Sequence, residues 1–333
     1  MEKLKIYLNN LQMKKIIVIS GATASGKTAK AVEFCRLHNG EIISADSRQI
    51  YKYLDIGTNK EGVLIHSSNE KAAPRQYSRS DEMGRLIETD GNDGRALRKI
   101  NRAFRLIGGV PQYLTDLIEP SQTYSAADFA EDADAKIAEI SSRGKLPVIV
   151  GGTGLYVKAL LYGLDKMPAA DEKLRKELSK KTQSELYNLL LKLDKGSAEK
   201  NQKNPQRLLR ALEVNILSGK TMGEHFTQKN ARYDFIHYTL CVENKILYAK
   251  INERCKKMLE SGMIEETQKV LNMGFDENCP ALSGIGYRDV IKFLNGKISK
   301  ETLCENFSKD TRRYAKRQNT WFKAQKEARK TEF

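Results

Sequence analysis

The sequence of 333 residues has few of the features that mark secreted or membrane proteins. No apolar run approaches the roughly 20 residues needed to cross a bilayer, and residues 1–10 contain no signal-peptide core. Cysteines are few and far apart, with no C-x-x-C pair and no Cys/His cluster, which argues against a disulfide framework and a zinc site. They are Cys35, Cys241, Cys255, Cys279 and Cys304. We therefore expect a cytoplasmic protein with no membrane segment.

Acidic residues are the scarcer charge. The chain has 42 Asp and Glu against 57 Lys and Arg, which gives a formal net charge of +15. A basic balance of this size favours an acidic partner such as nucleic acid. A generally lysine-rich, solvated surface explains the net charge equally well, so the partner must be inferred from motifs.

The most informative stretch joins an apolar run, Ile16 to Ile19, to Gly21-Ala22-Thr23-Ala24-Ser25-Gly26-Lys27-Thr28. These residues fit the pattern G-x-x-x-x-G-K-[ST] in full, with a strand pattern before them and a helical pattern after them. In such a loop, backbone N–H groups and the helix N-terminus attract phosphate, Lys27 neutralises it, and the Thr28 hydroxyl suits Mg²⁺. The pattern predicts a phosphate cradle; an ordinary glycine-rich turn is the alternative.

Strand and helix patterns alternate along much of the chain, which predicts an α/β fold: a P-loop-type, doubly wound, largely parallel sheet. Residues 165–233 show only helical patterns and predict a small all-helical subdomain inserted into the core. The core then comprises residues 1–164 and 234–333, with helices at its C-terminal end. Residues 60–109 are polar and arginine-rich, and they read as an insertion in which part of 96–107 is helical.

The second predicted strand ends in Asp46, which should lie near the cradle because ligands bind beyond the carboxyl ends of strands. Asp46 could support a metal, act as a general base, or only cap a turn. An ATP-dependent kinase would usually have an apolar strand ending in Asp. The strand at 146–150 ends in Gly151 instead, so a kinase has limited support.

Further motifs resemble, in order, those of the tRNA dimethylallyltransferases. The loop Gly21 to Thr28 is followed by Ser44-Ala45-Asp46-Ser47-Arg48-Gln49-Ile50-Tyr51 and Asp55-Ile56-Gly57-Thr58. The later motifs are Gly151-Gly152-Thr153-Gly154-Leu155-Tyr156, Asn204-Pro205-Gln206-Arg207-Leu208-Leu209-Arg210-Ala211-Leu212-Glu213, Gly284-Ile285-Gly286-Tyr287-Arg288, and Thr311-Arg312-Arg313-Tyr314-Ala315-Lys316-Arg317-Gln318 through Trp321. The P-loop is generic, but the ordered set is specific and covers nearly the whole chain apart from residues 60–109.

The resemblance implies transfer of a dimethylallyl group from its diphosphate to N6 of the adenosine 3′-adjacent to the anticodon in tRNA. Diphosphate is released, and Mg²⁺ is the implied cofactor, with Thr28 as its implied ligand. The loop from Gly21 to Thr28 would hold the diphosphate, helped by Lys27 and Arg254, and Asp46 would be the base. The implied tRNA-binding residues are Asp46, Ser47, Arg48, Gln49, Thr153, Arg175, Gln206, Arg207, Leu208, Leu209, Arg210, Ser283, Gly284, Ile285, Gly286, Tyr287 and Arg288. The expected partners are the anticodon stem-loop and dimethylallyl diphosphate, and the expected state is a monomer.

Two other functions remain open at this point. A related prenyltransferase alkylates AMP or ATP to make a cytokinin, and a P-loop small-molecule kinase or nucleotide-binding module would share only the cradle. The helical subdomain and the motif from Asn204 to Glu213 favour tRNA.

The basic helix faces also have a simpler explanation, because charged faces are often only solvated. These faces comprise Arg207 and Arg210 on one helix, and Arg312, Arg313, Lys316 and Arg317 on the last. Trp321, the single tryptophan, is expected to anchor the core rather than to stack on a base.

The sequence departs from the family pattern at a few positions. Ala22 stands where proline is usual, and Asn204 replaces a common aspartate while keeping the helix cap. The 60–109 stretch is longer than expected. The zinc-finger extension of some eukaryotic members is absent, which favours a bacterial or organellar type.

Overall fold

A computed structural model describes residues 15–66, 77–80, 86–88, 103–165, 167–226, 230–325 and 327–332. The described residues form two compact units. The first lies within 1–161 and 231–333, and the second within 162–230. Sequence patterns place the corresponding boundaries at 165 and 233, a few residues further along the chain.

The first unit is built on a sheet. Its strands are β1 (Lys15–Gly21), β2 (Gly40–Ser44), β3 (Val63–Ile65), β4 (Tyr77–Ser80), β5 (Leu86–Glu88), β6 (Phe104–Ile107), β7 (Val110–Tyr113), β8 (Leu146–Gly151), β9 (Asp234–Cys241) and β10 (Arg329–Glu332). Eight of them form one sheet in the order β10-β9-β1-β8-β2-β7-β6-β3, and β4 pairs separately with β5. From β10 to β7 every neighbouring pair is parallel, whereas β6 and β3 are antiparallel additions at one edge.

The apolar run of β1 shows no alternation because every residue of this strand is buried. Its register sets Ile17 beside Val148 of β8 on one side and Ile236 of β9 on the other. The strand β2 lies on the far side of β8 and is buried along its length. The carboxyl ends of the parallel strands β1, β8 and β2 therefore lie together at one end of these strands, where the glycine-rich loop begins.

Helices complete both units. Those of the first are α1 (Lys27–His38), α2 (Ala126–Ser142), α3 (Gly154–Tyr162), α9 (Asn244–Glu260), α10 (Met263–Asn272), α11 (Tyr287–Leu294) and α12 (Lys300–Lys323), with a 3₁₀ turn at Ala281–Ser283. Those of the second are α4 (Glu172–Leu178), α5 (Gln183–Leu193), α6 (Lys195–Asn201), α7 (Pro205–Ser218) and α8 (Met222–His225). The predicted fold class, a largely parallel P-loop-type sheet with an inserted small all-helical subdomain, is confirmed.

Several helices are capped as their local sequence favours, and the cap expected at Asn204 is among them. The Ser125 hydroxyl accepts the Asp128 N–H in a capping box at the start of α2. The Asn204 side chain accepts the Arg207 N–H at 3.1 Å ahead of Pro205, and Gly219 ends α7 with a φ of 68°. The replacement of aspartate by Asn204 thus keeps the cap.

The prediction that residues 60–109 form an insertion is wrong at both ends of this segment. Val63–Ile65 and Phe104–Ile107 are strands of the main sheet, so the helical prediction also fails for Phe104 to Ile107. Burial explains the error: Arg105 is 4% exposed between Asp55 and Asp116, and Lys60 is buried against the same carboxylates. Charged residues that look like a polar excursion are therefore a buried ion-pair network. Residues 67–76, 81–85 and 89–102 lie outside the described residues.

In the part of the chain that the structure describes, no helix has both the length and the apolar character needed to cross a membrane.

Candidate active site

The glycine-rich loop leaves β1 and turns into α1, whose first residue is Lys27. Ala24 and Gly26 adopt positive φ, at 62° and 86°. A left-handed residue directly before the helix directs the backbone N–H groups of the first turn towards the loop, where they favour an anion. The predicted cradle therefore has the backbone shape that phosphate binding requires.

Two cations reach this loop. The Lys27 ammonium donates to the Ala22 carbonyl at 2.7 Å. Burial is the main cause that lowers the pKa of Lys27 to about 8; Asp46 opposes the shift and Arg254 adds to it. Arg254 comes from α9 and donates to the Thr23 hydroxyl, and burial lowers its pKa as well.

Two polar atoms beside these cations have no hydrogen-bond partner among the described residues. They are the Arg254 Nε and the Ser25 Oγ, both buried. Buried donors without a partner are costly, about 1–3 kcal/mol each. A phosphate group bound in the loop would satisfy them, so the donor set fits a diphosphate.

Asp46 follows β2 and caps a turn. Its Oδ1 accepts the N–H of Arg48 at 2.8 Å and of Gln49 at 3.4 Å. The charge of Asp46 also acts on Lys27 and on Arg254. Asp46 therefore caps a turn and also lies near the cradle, as its position after a strand predicts.

The turn after β8 approaches the turn of Asp46 from the neighbouring strand. The Thr153 hydroxyl accepts the Ser47 N–H at 3.0 Å, and the Thr153 N–H donates to the Ala45 carbonyl at 3.2 Å. From α12, Tyr314 hydrogen-bonds Thr153, and burial together with Asp46 raises the pKa of Tyr314 to about 12. The Tyr314 phenol is thus held neutral beside the carboxylate.

Arg48 ties this turn to the loop before α11. Its guanidinium donates to the carbonyls of Pro280, at 3.2 Å, and Ala281, and it lies over the Tyr51 ring at 5.1 Å. A Cβ at Gly284 would lie 2.8 Å from the Arg48 side chain, so glycine is needed there for contact. Arg48 therefore holds the protein's own backbone in place.

The loop Asp55-Ile56-Gly57 is organised by Glu266 of α10. The Glu266 carboxylate accepts the backbone N–H groups of all three residues, at 2.6, 2.7 and 3.0 Å. It also accepts the hydroxyl of Tyr287, at 2.9 Å, which is buried and whose pKa is raised by that burial and by Glu266. No motif in the sequence singles out Glu266.

Within the helical unit, Glu213 is the central group. It is fully buried, and it accepts from Arg175 at 2.7 and 2.9 Å and from Arg210. These arginines, together with the N–H of Asp171 at 2.8 Å, hold the pKa of Glu213 below its usual range even though burial opposes the shift. The two arginines are thereby kept at the surface of the unit in fixed orientations.

Comparison with known proteins assigns the family. The IPP transferase family pattern matches residues 101–325. A tRNA dimethylallyltransferase of Endomicrobium trichonymphae is 62% identical over 95% of this chain and 94% of the relative, and that of Acetivibrio thermocellus is 37% identical over 93% and 89%. The chain belongs to the tRNA dimethylallyltransferase family. The solved structure of the full-length tRNA isopentenylpyrophosphate transferase of Bacillus halodurans agrees, with a TM-score of 0.62 and 32% identity over 96% of this chain and 90% of that one.

The residues implied by the tRNA dimethylallyltransferase resemblance differ in where they lie and in how exposed they are. In the first unit the structure brings Lys27, Thr28, Asp46, Thr153 and Arg254 to one edge of the sheet, with Ser47, Arg48 and Gln49 in the adjoining turn. Ser283 and Arg288 are exposed, whereas Tyr287 and Gly286 are buried. In the helical unit Gln206 and Arg207 are exposed, and Leu208 is fully buried, so its side chain serves packing.

Three residues with central contacts were not among the predicted site residues: Glu266, Tyr314 and Gln318. Tyr314 and Gln318 lie in a motif that carries the resemblance to tRNA dimethylallyltransferases, and this membership could have identified them as site residues. Among the basic residues around them, Arg313, Lys316 and Arg317 are exposed, as either a solvated face or an RNA-contacting face would be. Trp321 is partly buried and packs against Gly154, where a Cβ would meet its ring at 2.4 Å.

A metal site made by protein side chains alone is absent from the part of the chain described. No group of three His, Cys, Asp or Glu that could hold an ion occurs among these residues. The Thr28 hydroxyl and the Asp46 carboxylate are oxygen donors beside the cradle, and Mg²⁺ is usually bound by one or two such groups together with phosphate oxygens. The donor set is therefore compatible with Mg²⁺ that arrives with a diphosphate.

Proposed function

We propose that this protein transfers a dimethylallyl group from dimethylallyl diphosphate to N6 of the adenosine 3′-adjacent to the anticodon in tRNA. The observation that carries the proposal is the juxtaposition of Lys27 and Arg254, in a diphosphate-shaped loop, with the carboxylate of Asp46. Groups suited to hold a leaving diphosphate thus lie beside a proton acceptor, as prenyl transfer to an amine requires.

Charge accumulates on the diphosphate as it leaves. Lys27 and Arg254 stand where that charge grows, and both are largely removed from water, which strengthens their attraction for an anion. The Arg254 Nε, which has no partner in the part of the chain that the structure describes, supplies a further donor to the leaving oxygens. The cradle therefore stabilises departure rather than phosphoryl transfer.

Asp46 takes the proton in this scheme. The bond from N6 to the allylic carbon forms, the bond from that carbon to the diphosphate oxygen breaks, and the N6 proton passes to the Asp46 carboxylate. Oδ1 is fixed by the Arg48 N–H, so the carboxylate presents its remaining lone pairs in a defined direction. General base catalysis of this kind contributes about 10²- to 10⁴-fold.

Mg²⁺ is part of the proposal. The Thr28 hydroxyl and the diphosphate oxygens would hold it, and the bound ion would neutralise part of the leaving-group charge.

The tRNA is proposed to meet the polar turn at Asp46 to Gln49, Thr153, the exposed residues Ser283 and Arg288, and the helical unit through Arg175, Arg207 and Arg210. An adenine in the anticodon loop must leave its stack to reach a buried carbon, at a cost of a few kcal/mol. We place the enzyme in the cytoplasm as a monomer; the five cysteines are all free, which suits a reducing compartment.

Mass spectrometry of nucleosides tests the proposal. Unmodified tRNA is incubated with the protein, Mg²⁺ and dimethylallyl diphosphate, then digested, and N6-isopentenyladenosine is expected. Parallel reactions offer AMP with the same donor, and ATP without a donor. Prenylated AMP with unmodified tRNA would establish the cytokinin-type enzyme, and ATP hydrolysis without any prenyl product would establish a P-loop nucleotide enzyme.

A further inference from the structure

Gln318 of α12 connects the two halves of the site. Its side-chain Oε1 accepts the N–H of Thr23 at 2.8 Å, and its Nε2 donates to the carbonyl of Gly152 at 2.9 Å. The residue is only 6% exposed. One amide group thus bridges the loop after β1 and the turn after β8.

These two segments have different tasks in the proposed reaction. Thr23 belongs to the diphosphate cradle, and Arg254 binds its hydroxyl. Gly152 precedes Thr153, which is hydrogen-bonded to Ser47 beside Asp46. Gln318 therefore stands between the group that leaves and the base that receives the proton.

The local geometry demands an amide at this position. Thr23 offers a donor and Gly152 an acceptor, and a glutamine has one of each at its end. A Cβ on Gly152 would lie 2.2 Å from the Gln318 Nε2, so this glycine is required for the approach. The contact also occupies the Thr23 N–H, so that donor is not free for a phosphate oxygen.

We infer that Gln318 is a positioning residue that sets the separation between the diphosphate cradle and the turn carrying Thr153. It thereby sets the distance between the allylic carbon and the adenine N6. Misplacement of reacting groups by about 1 Å can cost about 10²-fold in rate. The inference rests on the proposed function and adds to it a residue that touches neither substrate.

Gln318→Glu gives the sharpest test. A carboxylate there faces the Gly152 carbonyl and repels it, but the protonated acid can again accept from Thr23 and donate to Gly152. We expect kcat to be about 10- to 100-fold below wild type at pH 8.5, and the ratio of variant to wild type to rise as pH falls. The KM for tRNA should change much less than kcat, because most of the proposed tRNA contacts lie outside the turn that carries Thr153.

Gln318→Met is the second variant, since it keeps the volume and can make neither bond. Its kcat should be low at every pH. The exposed glutamine of α10, Gln268, provides the matched control: Gln268→Glu and Gln268→Met should behave as wild type across the pH range. Hydrogen exchange of the Thr23 amide, measured without substrate, should be faster in Gln318→Met than in wild type.

A kcat ratio for Gln318→Glu that is constant with pH, or a wild-type kcat in Gln318→Met, would overturn the inference. Unaltered exchange at Thr23 would do the same, and it can be measured on any variant that folds. Failure of the proposed function is a separate result, because the wild-type protein itself would then make no prenylated tRNA.

Discussion

The carboxylate of Glu266 accepts the backbone N–H of Asp55 at 2.6 Å and so joins α10 to a loop more than two hundred residues earlier in the chain. The same carboxylate receives two further backbone N–H groups and the Tyr287 hydroxyl. Because it accepts four hydrogen bonds, the Glu266 carboxylate is the structural anchor of the loop from Asp55 to Gly57. A Cβ at Gly57 would lie 2.4 Å from the Tyr287 hydroxyl, which leaves no room for a larger residue.

Glu266→Ala should destabilise the protein by about 1–3 kcal/mol, because four donors lose their acceptor and water replaces it incompletely. Urea unfolding followed by circular dichroism measures the change. Glu266→Gln, which keeps one carbonyl oxygen, should lose less. The exposed neighbour provides the control, and Glu265→Ala should stay within about 0.5 kcal/mol of wild type. Equal stability of the two alanine variants would contradict the anchoring role.

Asp46→Asn separates the base from the turn cap. The amide oxygen can still accept the Arg48 N–H, so folding and tRNA affinity should change little, but the side chain can no longer take a proton. Single-turnover transfer should slow by about 10²- to 10⁴-fold. Asp46→Ala should show the same loss together with a lower melting temperature. An unchanged single-turnover rate in Asp46→Asn would refute the assignment of Asp46 as base.

Lys27 predicts a pH dependence of diphosphate binding. Its pKa is lowered to about 8, so the free protein loses this positive charge as pH rises through that value. We expect the affinity for inorganic diphosphate, measured by calorimetry, to fall more steeply with pH in wild type than in Lys27→Arg. The arginine stays charged, and the ligand's own titration is common to both proteins. Parallel pH profiles would exclude Lys27 as the titrating group.

The same shift has a consequence for stability without ligand. Between about pH 8 and 10.5 the unfolded chain keeps the Lys27 proton while the folded protein has lost it. The folded state then binds fewer protons, so the Lys27 contribution to the free energy of unfolding rises with pH across this window. Comparison of wild type with Lys27→Arg by urea unfolding at pH 7 and pH 9.5 isolates that contribution.

Arg207→Ala should weaken tRNA binding and make its salt dependence shallower by about one unit of log Kd per log salt. Arg207 is exposed, on the first turn of α7, and its backbone N–H already serves the Asn204 cap. Arg207→Lys keeps the charge and should keep the slope. The same slope in wild type and Arg207→Ala, by filter binding from 50 to 300 mM salt, would leave Arg207 as a solvated surface residue.

Local rules account for much that the sequence predicts correctly. The loop from Gly21 to Thr28 follows from residue types in a fixed order, and the caps at Ser125 and Asn204 follow from side chains that bond to backbone three residues away. Asp46 follows from its position after a strand. Each of these inferences depends on only a few neighbouring residues, so the amino-acid sequence contains all the information that the inference needs.

The error over residues 60–109 has a different cause. Lys60 and Arg105 look like residues of a polar loop because charged side chains are seldom buried. They are buried because Asp55 and Asp116 pair with them, and the pairs Arg105–Asp55 and Lys60–Asp116 join residues that are 50 and 56 positions apart in the chain. Periodicity within the segment cannot reveal such pairing.

By itself the sequence determined the glycine-rich loop, the fold class, the family and the place of Asp46, because each rests on short residue patterns or on the order in which such patterns follow one another. Tertiary structure alone decided that Glu266 anchors the loop at Asp55 and that Gln318 spans from Thr23 to Gly152. It also decided that Arg48 serves the protein's own backbone. These hydrogen bonds join residues far apart in the chain, so they depend on how helices α10 and α12 pack in the fold. A single sequence does not show which distant residues such packing brings together.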